Sequence, residues 1–312
     1  MSPTARRTDP RWPRASTWLA DGSGGRPVDF AVLGVPTHAT SLSRSSAHAT
    51  PQAVRRVLQR LSTWSPSHGL DLATAIAPLD LGNVDDPDLG EEGAWRVGTS
   101  ARAAADAATL VFALGGDNSL TAPLGVGALG DLSRAGLVTL DAHHDIREGR
   151  SNGSPVRQLI DAGLDGERVV QVGIADWTNS RSYADEAHAR GITVLLRSDV
   201  AALGIDACMA QALDVAGGNG GPVLVDLDLD VCDRSVAPGC PASLPGGLAA
   251  HEVMRAAYLA GLDERVRVMD VTEVDANADP DQRTVRLAAL CLLEAAAGLA
   301  VRLGRATGDR VR

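Results

Sequence analysis

Lysine is missing altogether: the 29 basic residues of this 312-residue chain are all arginine. Without lysine there is no Schiff-base amine, which excludes pyridoxal-phosphate enzymes and lysine aldolases. There is no lysine for a Walker P-loop and none for a kinase strand, so those phosphoryl-transfer folds are excluded too. Aromatic residues are scarce at 3%, so the core must come from Ala, Val, Leu and Ile, and a hydrophobic content of 45% is enough to build one. Cysteine is limited to Cys208, Cys232, Cys240 and Cys291, with no C-x-x-C pair and no disulfide framework. These read as reduced thiols of a cytoplasmic protein. Positive charge is in deficit, 39 acidic against 29 basic residues for a net charge of −10. That balance argues against nucleic acid and against anionic membranes as partners. The longest apolar stretches are of strand length or are broken by charges, so neither a membrane span nor a signal peptide is expected.

Residues 1–27 are rich in Arg, Pro and Gly and predict a loose N-terminal arm, followed by one domain over residues 28–312. Within that domain short apolar runs alternate with longer Ala/Leu/Arg segments. The runs predict strands at Phe30–Val35, Ile76–Leu81, Leu110–Leu114, Leu137–Leu140, Val169–Ile174, Ile192–Leu196, Val223–Leu229 and Val266–Val271. Helices are expected between them, at Pro51–Leu61, Glu91–Thr109, Asp206–Val215, His251–Leu262 and Gln282–Leu303. Continuous apolar strands alternating with helices imply an α/β fold, a mostly parallel sheet covered on both faces.

In such a sheet ligands bind beyond the carboxyl ends of the strands. Four predicted strand ends carry chemistry there: Gly115-Gly116-Asp117-Asn118-Ser119, Asp141-Ala142-His143-His144-Asp145, the series Asp226, Asp228, Asp230 and Asp233, and Thr272-Glu273. Clustered carboxylates at buried strand ends are costly unless neutralised. With no lysine, a pair of divalent cations is the economical counter-charge. A donor set dominated by oxygen with an imidazole favours Mn²⁺ over Zn²⁺. Asp141, His143 and Asp145 alternate and would point one way from an extended backbone, and Asp228 and Asp230 share that period. Two metals about 3.5–4 Å apart can share a bridging carboxylate and convert a shared water to hydroxide near neutral pH.

These four segments resemble those of the ureohydrolase superfamily of arginases, agmatinases and formimidoylglutamases. That family shows Gly-Gly-Asp-His-Ser, Asp-Ala-His-x-Asp, Asp-x-Asp-x-x-Asp and a late Glu-Val. The resemblance runs from Leu33-Gly34-Val35-Pro36 to Glu273-Val274. It implies a three-layer α/β/α sandwich around a parallel eight-stranded sheet, two Mn²⁺ per subunit, and assembly as a trimer or hexamer. It implies that Asp141 and Asp228 bridge the metals, that Asp145 and Asn118 complete one shell, and that His143 and Asp230 complete the other. Glu273 would accept hydrogen bonds from amidine or guanidine nitrogens.

Two positions depart from the family pattern. The ligand histidine is Asn118 here, and a histidine assigned to proton transfer in arginases falls at Asn152. Without that shuttle, Asp145 is the candidate general acid. Together with Asp233-Arg234, the run from Ala237 to Ser243, and Asn179-Ser180 followed by Tyr183, these changes resemble the formimidoylglutamase branch. The reaction implied is hydrolysis of N-formimino-L-glutamate to L-glutamate and formamide by a metal-bridging hydroxide. A substrate bearing carboxylates needs arginine in a chain without lysine, and Arg147, Arg157 and Arg181, with Asn152, are the candidates near the site. An agmatinase or guanidino-acid hydrolase releasing urea is the competing enzyme, and a metal-poor relative that binds without turnover is the competing non-enzyme. The run Gly125-x-Gly127-x-x-Gly130 matches a dinucleotide fingerprint by letter, but it does not follow a strand. His38 and His48, in an early loop, and Trp177, after a strand end, are weaker candidates for the site.

Overall fold

The computed structural model describes residue 9 and residues 11–305. All eight expected strands form: β1 Phe30–Val35, β2 Pro78–Asn83, β3 Leu110–Gly115, β4 Gly136–Leu140, β5 Val169–Ile174, β6 Thr193–Leu196, β7 Val223–Asp228 and β8 Val266–Thr272. They pair in parallel in the order β2-β1-β3-β8-β7-β4-β5-β6. Burial follows position. β1, β3, β4, β5 and β7 are buried at every residue, while the edge strands β2 and β6 are partly open. A strand covered on both faces is mostly apolar, which is why the central strands read as near-continuous Val/Leu/Ala runs, interrupted at Thr139, Gln171, Asp226 and Asp270.

The helices form two covering layers. One includes α2 (Thr50–Leu58), α9 (Ala250–Leu262) and α10 (Arg283–Arg302). The other includes α3 (Gly90–Ala107) and α4 (Thr121–Leu129), then α5 (Pro155–Asp161). The three glycines that mimic a dinucleotide fingerprint belong to this second layer. A Cβ on Gly127 would lie 2.1 Å from the Gly98 carbonyl oxygen, so that glycine lets α3 and α4 touch backbone to backbone. Gly130, at φ 71°, ends α4 in a conformation that glycine alone adopts freely.

One expectation is corrected. The first 27 residues are not all loose: α1 (Ala15–Asp21) buries Trp18 and Leu19, and the Trp18 indole N–H donates to the Ile76 carbonyl at 3.2 Å. Residues 1–8 and 10 of the expected arm lie outside the described residues. The segment Pro280–Arg302 is long and apolar enough to cross a membrane by length and composition alone, but 72% of its apolar window is buried inside the protein, as in a core helix. Its main neighbour is α9.

Candidate metal centre

The last two strands of the chain, β7 and β8, enter the sheet between β3 and β4. That insertion puts four chemically loaded strand ends side by side in the middle of the carboxyl edge. After β3 the backbone must pass very close to its neighbours. A Cβ on Gly116 would lie 1.9 Å from the Thr37 carbonyl oxygen, so only glycine fits there, just ahead of Asn118.

Asp141, Asp145, Asp228 and Asp230 are all buried, with His143 partly buried among them. Donor atoms of Asp141, His143 and Asp230 lie within 4.8 Å of one another, and so do those of Asp141, Asp145 and Asp228. Asp141 is common to the two groups. Its Oδ1 accepts the His143 backbone N–H at 2.6 Å, while its buried Oδ2 has no hydrogen-bond partner. His143 Nδ1 stands 2.8 Å from Asp230 Oδ2. Asp230 Oδ1 accepts the Ala142 N–H at 3.1 Å, and Asp228 Oδ1 accepts the Asp230 N–H at 2.8 Å.

The local backbone differs from the extended one expected. β4 ends at Leu140 and β7 at Asp228, and Asp230 sits in a 3₁₀ turn over Leu229–Val231 that the Asp228 side chain caps. Asp145 has φ 51° and Glu273 has φ 64°. Left-handed backbone is rare for such residues and is held in place by its surroundings. Here turns and left-handed residues bring the carboxylates together, where straight strands would have carried them apart.

Burial and mutual repulsion dominate the electrostatics. Burial, then the Asp230 charge, pushes Asp141 up to about 6. Burial, then Asp141, raises Asp145 well above the usual carboxylate range, and burial, then Asp230, does the same to Asp228. Burial favours a neutral His143, but the Asp230 and Asp141 carboxylates together more than offset it and the imidazole is pushed up to about 12. For Asp230 burial raises and the His143 charge lowers, and the net direction is down. Burial, then the Asp117 charge, pushes Glu273 up to about 8 despite hydrogen bonds from Asn152 and Asn118.

A pocket of about 130 Å³ opens onto the cluster, lined by Asp145, Asp228, Asp230, His143 and Glu273, with Arg147 and Asn152 beside them and Leu42 and Ser43 above. Asn118 is buried against the cluster. Its Nδ2 donates to Asp145 Oδ2 at 3.0 Å and to Asp226 and Asp228 at 3.3 Å, and its oxygen is turned away to accept from Thr121. Crowded carboxylates attract donors, and the amide presents its N–H to them.

Arg147 is the one expected arginine that lines the pocket. Arg157 is engaged elsewhere, donating to the Ile146 and Arg147 carbonyls and to both oxygens of Glu186. Arg181 is 90% exposed and pairs with Asp185. His38 and His48 face each other at 4.3 Å outside the pocket lining, and Trp177 projects fully into solvent. His144 is buried with Nδ1 2.6 Å from Gln171 Oε1, a structural contact.

Asp226, expected from its strand, has a partner that was not expected, Asp270. Asp226 and Asp270 are register neighbours on β7 and β8, fully buried beside the site. Asp270 accepts from the Thr121 hydroxyl at 2.9 Å, and burial pushes it up to about 7. The signal was available: an aspartate inside an otherwise apolar central strand is almost never buried without a partner.

Comparison with known proteins agrees with this geometry. The sequence model of the arginase family matches residues 28–298. A formimidoylglutamase of Halalkalibacterium halodurans is 34% identical over 283 residues, covering 86% of this chain and 87% of that protein. The crystal structure of formimidoylglutamase from Bacillus subtilis superposes with a TM-score of 0.88 at 26% identity, covering 96% of each chain. Trypanosoma cruzi formiminoglutamase with Mn²⁺ superposes with a TM-score of 0.84 at 26% identity, covering 93% of this chain and 99% of that one. With the eight-stranded parallel sheet, the carboxylate–imidazole cluster at its centre and a match over most of its length, the chain belongs to the arginase family.

Proposed function

We propose that residues 28–312 form a hydrolase that converts N-formimino-L-glutamate to L-glutamate and formamide, a step of histidine breakdown, with two Mn²⁺ per subunit. On the same resemblance the subunits assemble as a trimer or hexamer and act in the cytoplasm. The observation that carries the reading is the make-up of the pocket: Glu273 for an amidinium and Arg147 for a carboxylate, both opening onto the buried acid cluster.

The residues fit a cation pair. Four buried aspartates share one imidazole, Asp141 Oδ2 has no partner, and among the described residues no arginine side chain pairs with any of the four. Asp141, Asp145, Asp228, Asp230 and His143, with Asn118 beside them, would hold the ions, and a donor set so rich in oxygen suits Mn²⁺. When bound, the ions supply Lewis acidity and make a water acidic near neutral pH. The rest falls to the chain. Glu273 Oε1 is occupied by two N–H donors, which leaves Oε2 to accept from the substrate amidine. Arg147 takes a carboxylate. Asp145 delivers a proton to the departing glutamate nitrogen as the C–N bond breaks, so that amidine and water become formamide and an amine.

The test offers formiminoglutamate, agmatine, arginine and guanidinobutyrate side by side to Mn²⁺-reconstituted protein. Release of glutamate without urea is expected. Urea without glutamate would assign a guanidino substrate instead. Less than one bound metal per chain with no amidine hydrolysis would show a binding protein.

A further inference from the structure

Asn152 occupies the position of a proton-shuttling histidine in arginases, yet both ends of its amide are engaged. Its Oδ1 accepts the Leu42 backbone N–H at 2.9 Å, and its Nδ2 donates to Glu273 Oε1 at 2.9 Å. Leu42 belongs to the segment 36–46 that follows β1 and lies above the pocket. The same segment is tied down elsewhere too: the Thr37 hydroxyl donates to the Asp117 carbonyl at 3.0 Å, the His38 N–H to Asp88 at 3.1 Å, the Ser41 hydroxyl to the Asp117 carboxylate at 2.6 Å and the Ser46 N–H to Asp275 at 3.0 Å. Between these ties the chain has no regular structure, and Arg44 is exposed. The contact around Asn152 is close: a Cβ on Gly153 would lie 3.0 Å from Leu42 Cδ1.

Glu273 Oε1 is held from two sides, by the Asn118 backbone N–H at 2.8 Å and by Asn152. A carboxylate gripped through one oxygen keeps the other free and aimed. The two bonds of Asn152 therefore tie the position of the covering segment to the orientation of the group that meets the substrate.

We propose that Asn152 is a positioning residue that latches segment 36–46 over the pocket and aims Glu273 at the substrate amidine. This rests on the hydrolase reading for its kinetic consequence, while the latch itself does not. The latch replaces proton transfer at this position: an amide whose donor and acceptor are both committed carries no proton.

Lysine-free sequence makes the test clean, because trypsin can cut only after arginine. The Mn²⁺-loaded protein is digested briefly, and cleavage after Arg44 is compared with cleavage after Arg181, which is exposed at the start of helix α6 (Arg181–Ala189). In Asn152→Ala both bonds are lost. Cleavage after Arg44 should rise about fivefold, the effect of one lost hydrogen bond, with Arg181 cleavage unchanged, kcat lowered and KM for formiminoglutamate raised. Asn152→Asp keeps the acceptor for the Leu42 N–H but sets a carboxylate against Glu273. Its Arg44 cleavage should stay within about twofold of the parent while kcat/KM falls as in the alanine variant. General loosening would move Arg44 and Arg181 together and would overturn the proposal. So would Arg44 cleavage at the parental rate in Asn152→Ala. Absence of amidine hydrolysis by the parent protein would defeat the proposed function alone, since the cleavage comparison would still decide the latch.

Discussion

Removing the metal should make the stability of this protein fall as pH rises. In the folded chain Asp141 titrates near about 6 instead of 3.8, and Glu273 near about 8 instead of 4.5. Both shifts are upward, so between those values the folded state binds more protons than the unfolded one, and stability declines with pH. The contribution is fully present below pH 4 and is lost through pH 6 for Asp141 and pH 8 for Glu273. At about 1.4 kcal/mol per pKa unit, Asp141 accounts for about 3 kcal/mol and Glu273 for about 5 kcal/mol. Asp145, Asp228 and His143 shift in the same direction and add to the slope. Each extra proton held at a given pH costs about 1.4 kcal/mol per pH unit, or a few degrees of melting temperature. Bound cations replace those protons, and at a hundredfold excess over the dissociation constant they restore about 2.7 kcal/mol per site. The assay is thermal unfolding from pH 5 to pH 8.5 of protein dialysed against chelator, with a second series after Mn²⁺ is added back. The apo series should fall with pH and the loaded series should be flatter and higher. An apo melting temperature that is constant or rises with pH, or two parallel curves, would refute the assignment of the cluster as a cation site.

The arginines separate by position. Arg147→Ala should raise KM for formiminoglutamate roughly 10- to 100-fold, the range for a lost charge-assisted hydrogen bond, with little effect on any turnover of agmatine, which has no carboxylate. Arg157→Ala should leave KM alone and lower the unfolding midpoint through the lost Glu186 and carbonyl contacts. Asn118→His should still bind metal, at a content by elemental analysis equal to or above that of the parent. The variant trades an amide donor for an imidazole lone pair facing the same carboxylates, and loss of all metal would show that this position does not face the cation site.

Much of this was legible along the chain because the relevant signals are local. A strand buried on both faces is mostly apolar, so β1, β3, β5 and β7 declared themselves with bounds correct to within a residue. The charged positions at Asp141, His143, Asp145, Asp228 and Asp230 stood out because aspartate is costly in such surroundings without a counter-charge. Helix bounds were less well marked: α2 stops at Leu58, short of Leu61, and α10 starts at Arg283 because Gln282 is left-handed at φ 57°.

What composition and pattern alone determined was the fold class, the edge of the sheet where chemistry gathers and the need for cations, since a chain without lysine has little else to neutralise buried acids. Tertiary structure decided the rest. The order of strands, with β7 and β8 slotted between β3 and β4, is a long-range property that no window of sequence contains, and it makes one site of segments more than 150 residues apart. Which atoms face inward was decided there too: left-handed backbone turns Asp145 and Glu273 into the pocket, Asn118 presents its N–H, and only Arg147 of the three candidate arginines reaches it. Side-chain direction at a strand end depends on what the neighbouring strands supply, and those neighbours are set by the completed sheet.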